Sequence, residues 1–299
     1  MRGLTYLLLL PLLLCGSGTA GAQAVFQADE LLAPERPEAW AMNYFAATSL
    51  MTSFGESPAL SPGRWGVAVE LGHIPRLSDA QRRVGFNGFK NEDLNKSPVI
   101  GRLRLWLGLP AGWIAEVGYT PPLSIDGARP HDLVALAIGR RVFARGGYTL
   151  SARAFGQHGQ VRGDITCPDD IAGVTDSTRN LYGCQAPSDD RIALNYYGVD
   201  LTSAWTSGIW HWHAGLGVAR TELEVQVDAL TYDVHDRSHL TARDTLPFFV
   251  LGTSRELGTH WSLGMEVLHV PLTVRRELDA PRERDPLTSL RLQLRYRTN

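Results

Sequence analysis

Residues 287–299 read LTSLRLQLRYRTN, and this stretch decides the fold. In an extended chain successive side chains point to opposite faces. Leu290, Leu292, Leu294 and Tyr296 therefore share one face, and Ser289, Arg291, Gln293 and Arg295 take the other. The same two-faced pattern recurs upstream. Trp65, Val67, Val69 and Leu71 stand against Ala68, Glu70 and Gly72, and Leu103, Leu105, Leu107 and Leu109 against Arg102, Arg104 and Trp106.

Working outward from these segments, strands are predicted near residues 64–75, 99–109, 112–120, 132–143, 147–160, 191–206, 209–225, 241–254, 261–271 and 287–297. The connections between them alternate in length. Leu109–Gly112, Phe143–Gly147, Thr206–Gly208 and Arg255–His260 are tight, whereas Leu77–Val99, Pro121–His131, Gln160–Arg191 and Leu272–Pro286 are longer and charged. Strands with one apolar and one polar face, joined by short turns on one side and long loops on the other, are the signature of a membrane-spanning barrel, with the short turns facing the periplasm. In lipid every backbone group must pair within the protein, so such strands have to close into a ring. The expected fold is all-β, a ten-stranded antiparallel transmembrane β-barrel over residues 63–299.

The tryptophans give an independent sign. Trp65, Trp113, Trp205, Trp210, Trp212 and Trp261 all fall at the short-turn ends of predicted strands, joined by Tyr148 and Tyr296. Amphipathic rings collect at membrane interfaces, so this is read as one aromatic girdle. The mean hydropathy of −0.12 would suit a soluble protein, but in a barrel only alternate strand residues meet lipid. A formal net charge of −2 excludes a broadly basic nucleic-acid binder.

Ahead of the barrel lie two further segments. Residues 1–22 form an export signal, with Arg2 at its positive start, an apolar run from Leu4 to Leu14 and the small-residue site Ala20-Gly21-Ala22. That run is too short to span a bilayer. Residues 23–62 are punctuated by Pro34 and Pro37 and contain AWAMNYFAATSLM from Ala39 to Met51. Periodicity leaves helix or extra strand open there; a short helix at the periplasmic mouth, or one plugging the lumen, is expected. An even strand number puts both termini on the periplasmic side.

With its export signal, its rhythm of strands and loops and its aromatic-bearing last strand, the chain resembles the bacterial outer-membrane β-barrel proteins as a general class. The resemblance implies residence in a bacterial outer membrane among its lipids and lipopolysaccharide, with the barrel assembly machinery as a partner. Many members end in Phe, whereas this chain ends Tyr296-Arg297-Thr298-Asn299. The class leaves activity open, because a fold does not imply a function.

The non-lipid faces bring together Glu70, Arg102, Arg104, Glu116, Arg141, Arg153, Asp200, Glu266, Arg291 and Arg295. Neighbouring strands lie about 4.8 Å apart, so opposite charges on them can pair directly. That capacity favours a filled lumen over a charge-selective conduit. Water in the lumen is expected to soften the loss of any one charge, so removing Arg291 should cost less than placing Arg at position 292. Cys167 and Cys184, in one polar turn-rich segment, are expected to form a disulfide in an oxidising compartment.

Weaker candidates complete the reading. His211 and His213, two residues apart on one strand, are a bidentate pattern for a metal, more readily read as lumen fillers; no cofactor is expected. His235, Asp236 and His239, with Asp189 and Asp190, supply carboxylates and imidazoles that can activate water, the basis for a runner-up function as an omptin-like or lipid-modifying hydrolase. Arg82, Arg83, Lys90 and Lys96 suit either anionic head groups or a solvated loop. The leading expectation is non-enzymatic: a small channel, or a ligand-binding or structural surface protein acting through its outer loops, its small-molecule ligand unnamed.

Overall fold

In the computed structural model, residues 24–55, 60–277 and 279–298 are described. The export signal, residues 1–22, lies outside them. Ten strands run β1 (Trp65–His73), β2 (Val99–Gly108), β3 (Trp113–Thr120), β4 (Arg129–Arg145), β5 (Tyr148–Gly163), β6 (Asp190–Ser207), β7 (Trp210–Gln226), β8 (His239–Glu256), β9 (Trp261–Val270) and β10 (Leu287–Arg297). Each pairs antiparallel with its chain neighbours, and β10 pairs with β1, so the ring closes. The fold is a closed ten-stranded antiparallel β-barrel.

The inward face carries the polar set and the outward face the apolar one. Along β1 exposure alternates strictly, with Trp65, Val67, Val69 and Leu71 outside and Ala68 and Glu70 inside. Along β10, Leu290, Leu292 and Leu294 are outside and Ser289, Arg291 and Gln293 inside. The six girdle tryptophans, with Tyr148, are exposed at the turn end, and Tyr296 stacks between Trp65 and Trp261 at 5.9 and 5.1 Å. On β7 the outward residues change from Leu216 and Val218 to Arg220, Glu222 and Glu224. The apolar band from girdle to polar edge is thus about nine residues tall, roughly 23 Å for strands tilted about 40°.

Turn chemistry explains the tight ends. Gly146 and Gly147, joining β4 to β5, have φ of 59° and 80°, the two positive values of a two-residue hairpin whose twist matches its strands. At the loop end β4 to β8, of 16 to 18 residues each, run on past the apolar band, and all but β7 are longer than expected. They carry the loops, one of them stapled by the Cys167–Cys184 disulfide with a Cα–Cα distance of 5.6 Å.

The segment before β1 departs most from expectation. Ala24–Phe26 pairs parallel with Val234–Asp236, and Asp29–Leu31 with His239–Thr241, both at the loop end. Helix α1 (Pro37–Thr48) then descends inside the ring, and residues 49–55 continue to the turn end, where Leu60 packs beside Trp106 and Ile114. The first described residues therefore lie at the loop end, not at the short-turn side. Strand parity misjudged this because the threaded segment is itself a crossing. The helix-or-strand ambiguity of residues 39–51 resolves as helix as far as Thr48, for a related reason. The closed wall offers no edge to pair with, and a helix satisfies its own backbone. Pro37 opens α1 where its missing N–H costs nothing, and all its residues but Phe45 are buried, as expected of a helix surrounded on every side.

Candidate functional site

The lumen is built around the end of α1. A helix leaves its last four carbonyls without intrahelical donors, and here each finds one. The Phe45 carbonyl accepts from the Thr48 hydroxyl at 2.8 Å and the Ala46 carbonyl from the Ser49 hydroxyl at 3.0 Å. Arg291 donates to the carbonyls of Ala47 at 3.3 Å and Thr48 at 3.1 Å, and again to that of Leu50. A guanidinium at this position also complements the negative end of the helix dipole.

Beyond α1 the chain is neither helix nor strand, and further arginines take over. Arg102 donates to the Ser49 carbonyl, Arg153 to Met51 at 2.6 Å, Arg104 to Thr52 at 2.7 Å and Arg295 to Phe54 at 2.9 Å. The Tyr196 hydroxyl donates to the Ser49 carbonyl at 2.8 Å and accepts from the Met51 N–H at 2.9 Å. Five barrel arginines thus form a sleeve around residues 47–54.

Carboxylates on the same wall complete the sleeve. Glu70 meets Arg104 at 2.7 Å and Arg291 at 3.8 Å; Glu116 bridges Arg104 at 2.9 Å and Arg153 at 2.8 Å; Asp200 meets Arg153 at 2.7 Å. Glu266 accepts from the Thr52 hydroxyl at 2.6 Å and lies 3.1 Å from His213. The register puts Glu70 opposite Arg102, Arg153 opposite Asp200 and Glu266 opposite Arg291. Trp106, fully buried, lies under the guanidinium groups of Arg295 at 4.7 Å and Arg104 at 6.0 Å, contacts that favour a cation over an indole face. Arg141 lies half-buried on the same inward face near the turn end of β4.

Nine of the ten expected lumen charges therefore meet in one network, but their chief partner is the threaded backbone, which strand alternation alone does not disclose. Arg291 is 1 % exposed. The water expected to soften its loss has no room there, and the earlier ranking of Arg291 below position 292 is reversed. Tyr196, Gln157 and Thr52 were not singled out; the first two stand at inward positions, but their partner Ser49 belongs to the plug.

The weaker candidates separate. His213 is buried against Glu266, while His211 lies near the turn end, 3.1 Å from the Thr206 hydroxyl and 3.5 Å from Glu256. Among the described residues no group of three or more His, Cys, Asp or Glu is placed to hold a metal ion. His235 pairs with Asp228 at 2.5 Å, Asp236 caps the Ser238 N–H at 2.9 Å, and His239 lies between Asp29 and Glu224 at 3.1 and 2.9 Å. Neither histidine of that loop meets Asp236, so the expected set is three separate local contacts. Asp190 accepts from the Thr166 N–H and the Ser188 hydroxyl, and Asp189 lies 3.5 Å from Arg191. In the first loop burial pushes the Glu92 carboxyl up to about 8, against the opposing pull of Lys90 at 2.7 Å.

At the loop end of the lumen the chemistry is different. Between α1 and the wall from β1 to β6 lies a cavity of about 210 Å³, lined chiefly by apolar side chains including Phe45, Leu133, Val161, Ile192 and Leu194, with Thr48 and Ser49 at its floor.

No family model and no curated protein matches this chain. Among solved structures it is similar to the attachment invasion locus protein Ail of Yersinia pestis, at 10 % identity over 79 % of this chain and 99 % of that one, with a TM-score of 0.32. It is also similar to the outer membrane protease OmpT of Escherichia coli, at 9 % identity over 79 % and 94 % with a TM-score of 0.36. An outer membrane channel of Pseudomonas putida F1 aligns at 10 % identity over 83 % and 99 %, with a TM-score of 0.38. Likeness at these scores supports no inference about activity, and the closed barrel rests on its own strand register.

Proposed function

We propose that the chain is an integral barrel of a bacterial outer membrane, sealed rather than conducting, that works non-enzymatically as a ligand-binding or structural surface protein through its loop end. The observation that carries this reading is the sleeve. Residues 47–54 occupy the lumen and are held by Arg102, Arg104, Arg153, Arg291 and Arg295, so an open path for ions would require these contacts to part. The apolar outer band edged by tryptophans supports the membrane setting. The dispersal of His235, Asp236 and His239 among different partners weighs against hydrolysis in the loops. Lipids and lipopolysaccharide would then surround the barrel, with the assembly machinery inserting it.

Bilayer recording tests the reading. Reconstituted protein whose migration on a detergent gel shifts on heating, the mark of a closed barrel, should give no conductance steps. A variant lacking residues 24–55 that still shows the heat shift should conduct. Regular openings of the full chain would overturn the sealed barrel.

A further inference from the structure

We propose that the loop-end cavity binds a small uncharged molecule, mostly hydrocarbon with one hydroxyl or carbonyl group, and that this molecule enters sideways from the membrane through a notch between β2 and β3. The inference rests on the membrane setting argued above and adds a ligand class and a route.

The ligand class follows from the cavity. Cavities of about 150 Å³ lined by Leu, Ile and Phe stay dry and take up benzene. At about 210 Å³, this one has room for a benzene ring bearing a short alkyl chain. Among the described residues its lining holds two unmatched polar atoms, the Thr120 hydroxyl and the Arg162 Nε. Thr120, the last residue of β3, is 3 % exposed, and its hydroxyl has no hydrogen-bond partner among the described residues. A buried hydroxyl left alone costs free energy that a ligand oxygen would recover. Of the cations at the rim, Lys96 is engaged by Asp93 at 2.7 Å and Asp164 at 3.0 Å, while Arg162 faces Asp189 at 4.0 Å with its Nε left to donate to a ligand oxygen. The chiefly apolar lining favours a neutral molecule over an acid.

The route follows from the register. β2 pairs with β1 along its whole length, from Val99 opposite His73 to Leu107 opposite Trp65. Its pairing with β3 starts only at Leu103 opposite Tyr119. Above that level Pro121 and Pro122 follow Thr120, and prolines have no N–H to give to a ladder. Val99 to Arg102 are left with a neighbour on one side only. The outward residue at the gap is Gly101, which has no side chain to cover it; a Cβ there would meet only Leu71, at 3.6 Å. Leu71 and Val99, 51 % and 39 % exposed on the outer wall, border the same cavity as Leu133 and Ile192 on the inside. One space therefore reaches from the lumen to the outer apolar face, at the loop-end edge of the band.

Three probes sharing one propylbenzene body test both parts: 4-propylphenol, propylbenzene and 4-propylbenzoate, titrated into the full chain in lipid nanodiscs, with empty nanodiscs subtracted. Saturable one-to-one binding of 4-propylphenol is expected, with 4-propylbenzoate at least about tenfold weaker. Thr120→Val should weaken 4-propylphenol about fivefold and leave propylbenzene unchanged within twofold. Gly101→Trp, which closes the notch from outside, should slow association about tenfold while leaving the dissociation constant within twofold. Absence of saturable binding by any probe, in protein that keeps its heat shift and does not conduct, would overturn the cavity assignment while leaving the sealed barrel standing. Tightest binding by 4-propylbenzoate would overturn the neutral ligand. Unchanged association in Gly101→Trp would overturn the sideways route.

Discussion

At the turn end of the lumen, residues 49–54 run as irregular chain between five arginines and four carboxylates, whereas at the loop end the same threaded segment is a helix lying against Leu133, Ile192 and Leu194 beside a cavity. One ring of strands supplies both walls, so the difference lies in what each wall has to satisfy. A helix bonds its own backbone, and its neighbours need only be apolar. A segment that is neither helix nor paired strand leaves most of its carbonyls without backbone donors, and each buried one needs a donor. Arginine, with five N–H groups on a planar fork, can serve a carbonyl and a carboxylate at once. The wall chemistry changes where the plug changes from helix to irregular chain.

The sharpest way to break this contrast is Arg291→Leu. It would leave Glu70 short of a partner and the carbonyls of Ala47, Thr48 and Leu50 without their donor. A cost of about 3–5 kcal/mol is expected, typical of breaking a buried pair, measured as a fall in the urea midpoint of the protein in lipid vesicles. A loss under about 1 kcal/mol would mean that water reaches the sleeve, and the filled turn end would have to be abandoned.

One residue along, Leu292→Arg tests the opposite face. Leu292 is exposed on the outer wall opposite Leu71, and a charge there should cost about 2–4 kcal/mol near a bilayer midplane. In the same urea series its midpoint should fall less than that of Arg291→Leu. A neutral effect would mean the face does not meet lipid.

The loop end should yield locally. Changing Cys167 to Ser opens a link between residues 17 apart, worth about 3 kcal/mol to the loop on the loop-closure scale. Limited proteolysis should then cut within residues 164–189 while the heat shift of the barrel persists, because closure rests on strand pairing. Loss of the heat shift would show that the loop helps to hold the ring.

The smallest effect concerns pH. Glu92 titrates near 8 because burial disfavours its carboxylate, with Asp190 and Asp236 adding to the rise and Lys90 opposing it. A carboxyl whose folded value is raised contributes stability below about 4.5, its unfolded value, and loses it as pH climbs through about 8. Loop 74–98 should therefore be cut roughly tenfold faster at pH 9 than at pH 6, and Glu92→Gln should flatten that dependence. An unchanged slope in the variant would assign the effect to another group.

Much of this architecture is legible in the chain because strand alternation is local. Leu292 and Arg291 declare opposite faces from their spacing alone, and the tryptophans of the girdle mark one end of the strands without any knowledge of their partners. The inward charges were legible as a set for the same reason. Their bonds were not, since Arg291 could be paired on paper with Glu266 or Glu70 but not with the carbonyls of residues 47–50, which lie more than 200 positions away. The loop histidines failed in the opposite sense, as neighbours in sequence that fold onto different partners.

The amino-acid sequence by itself determined the ten two-faced strands, the placement of short turns and long loops, and the cysteine pair, because each depends on a period or a spacing within a few residues. The tertiary structure alone decided that residues 24–55 enter the ring from the loop end, that Ala39–Thr48 is helix and not strand, and that β2 and β3 part above Leu103. Those outcomes depend on which backbone groups are still unpaired once the ring has closed, and no local window of sequence contains that information.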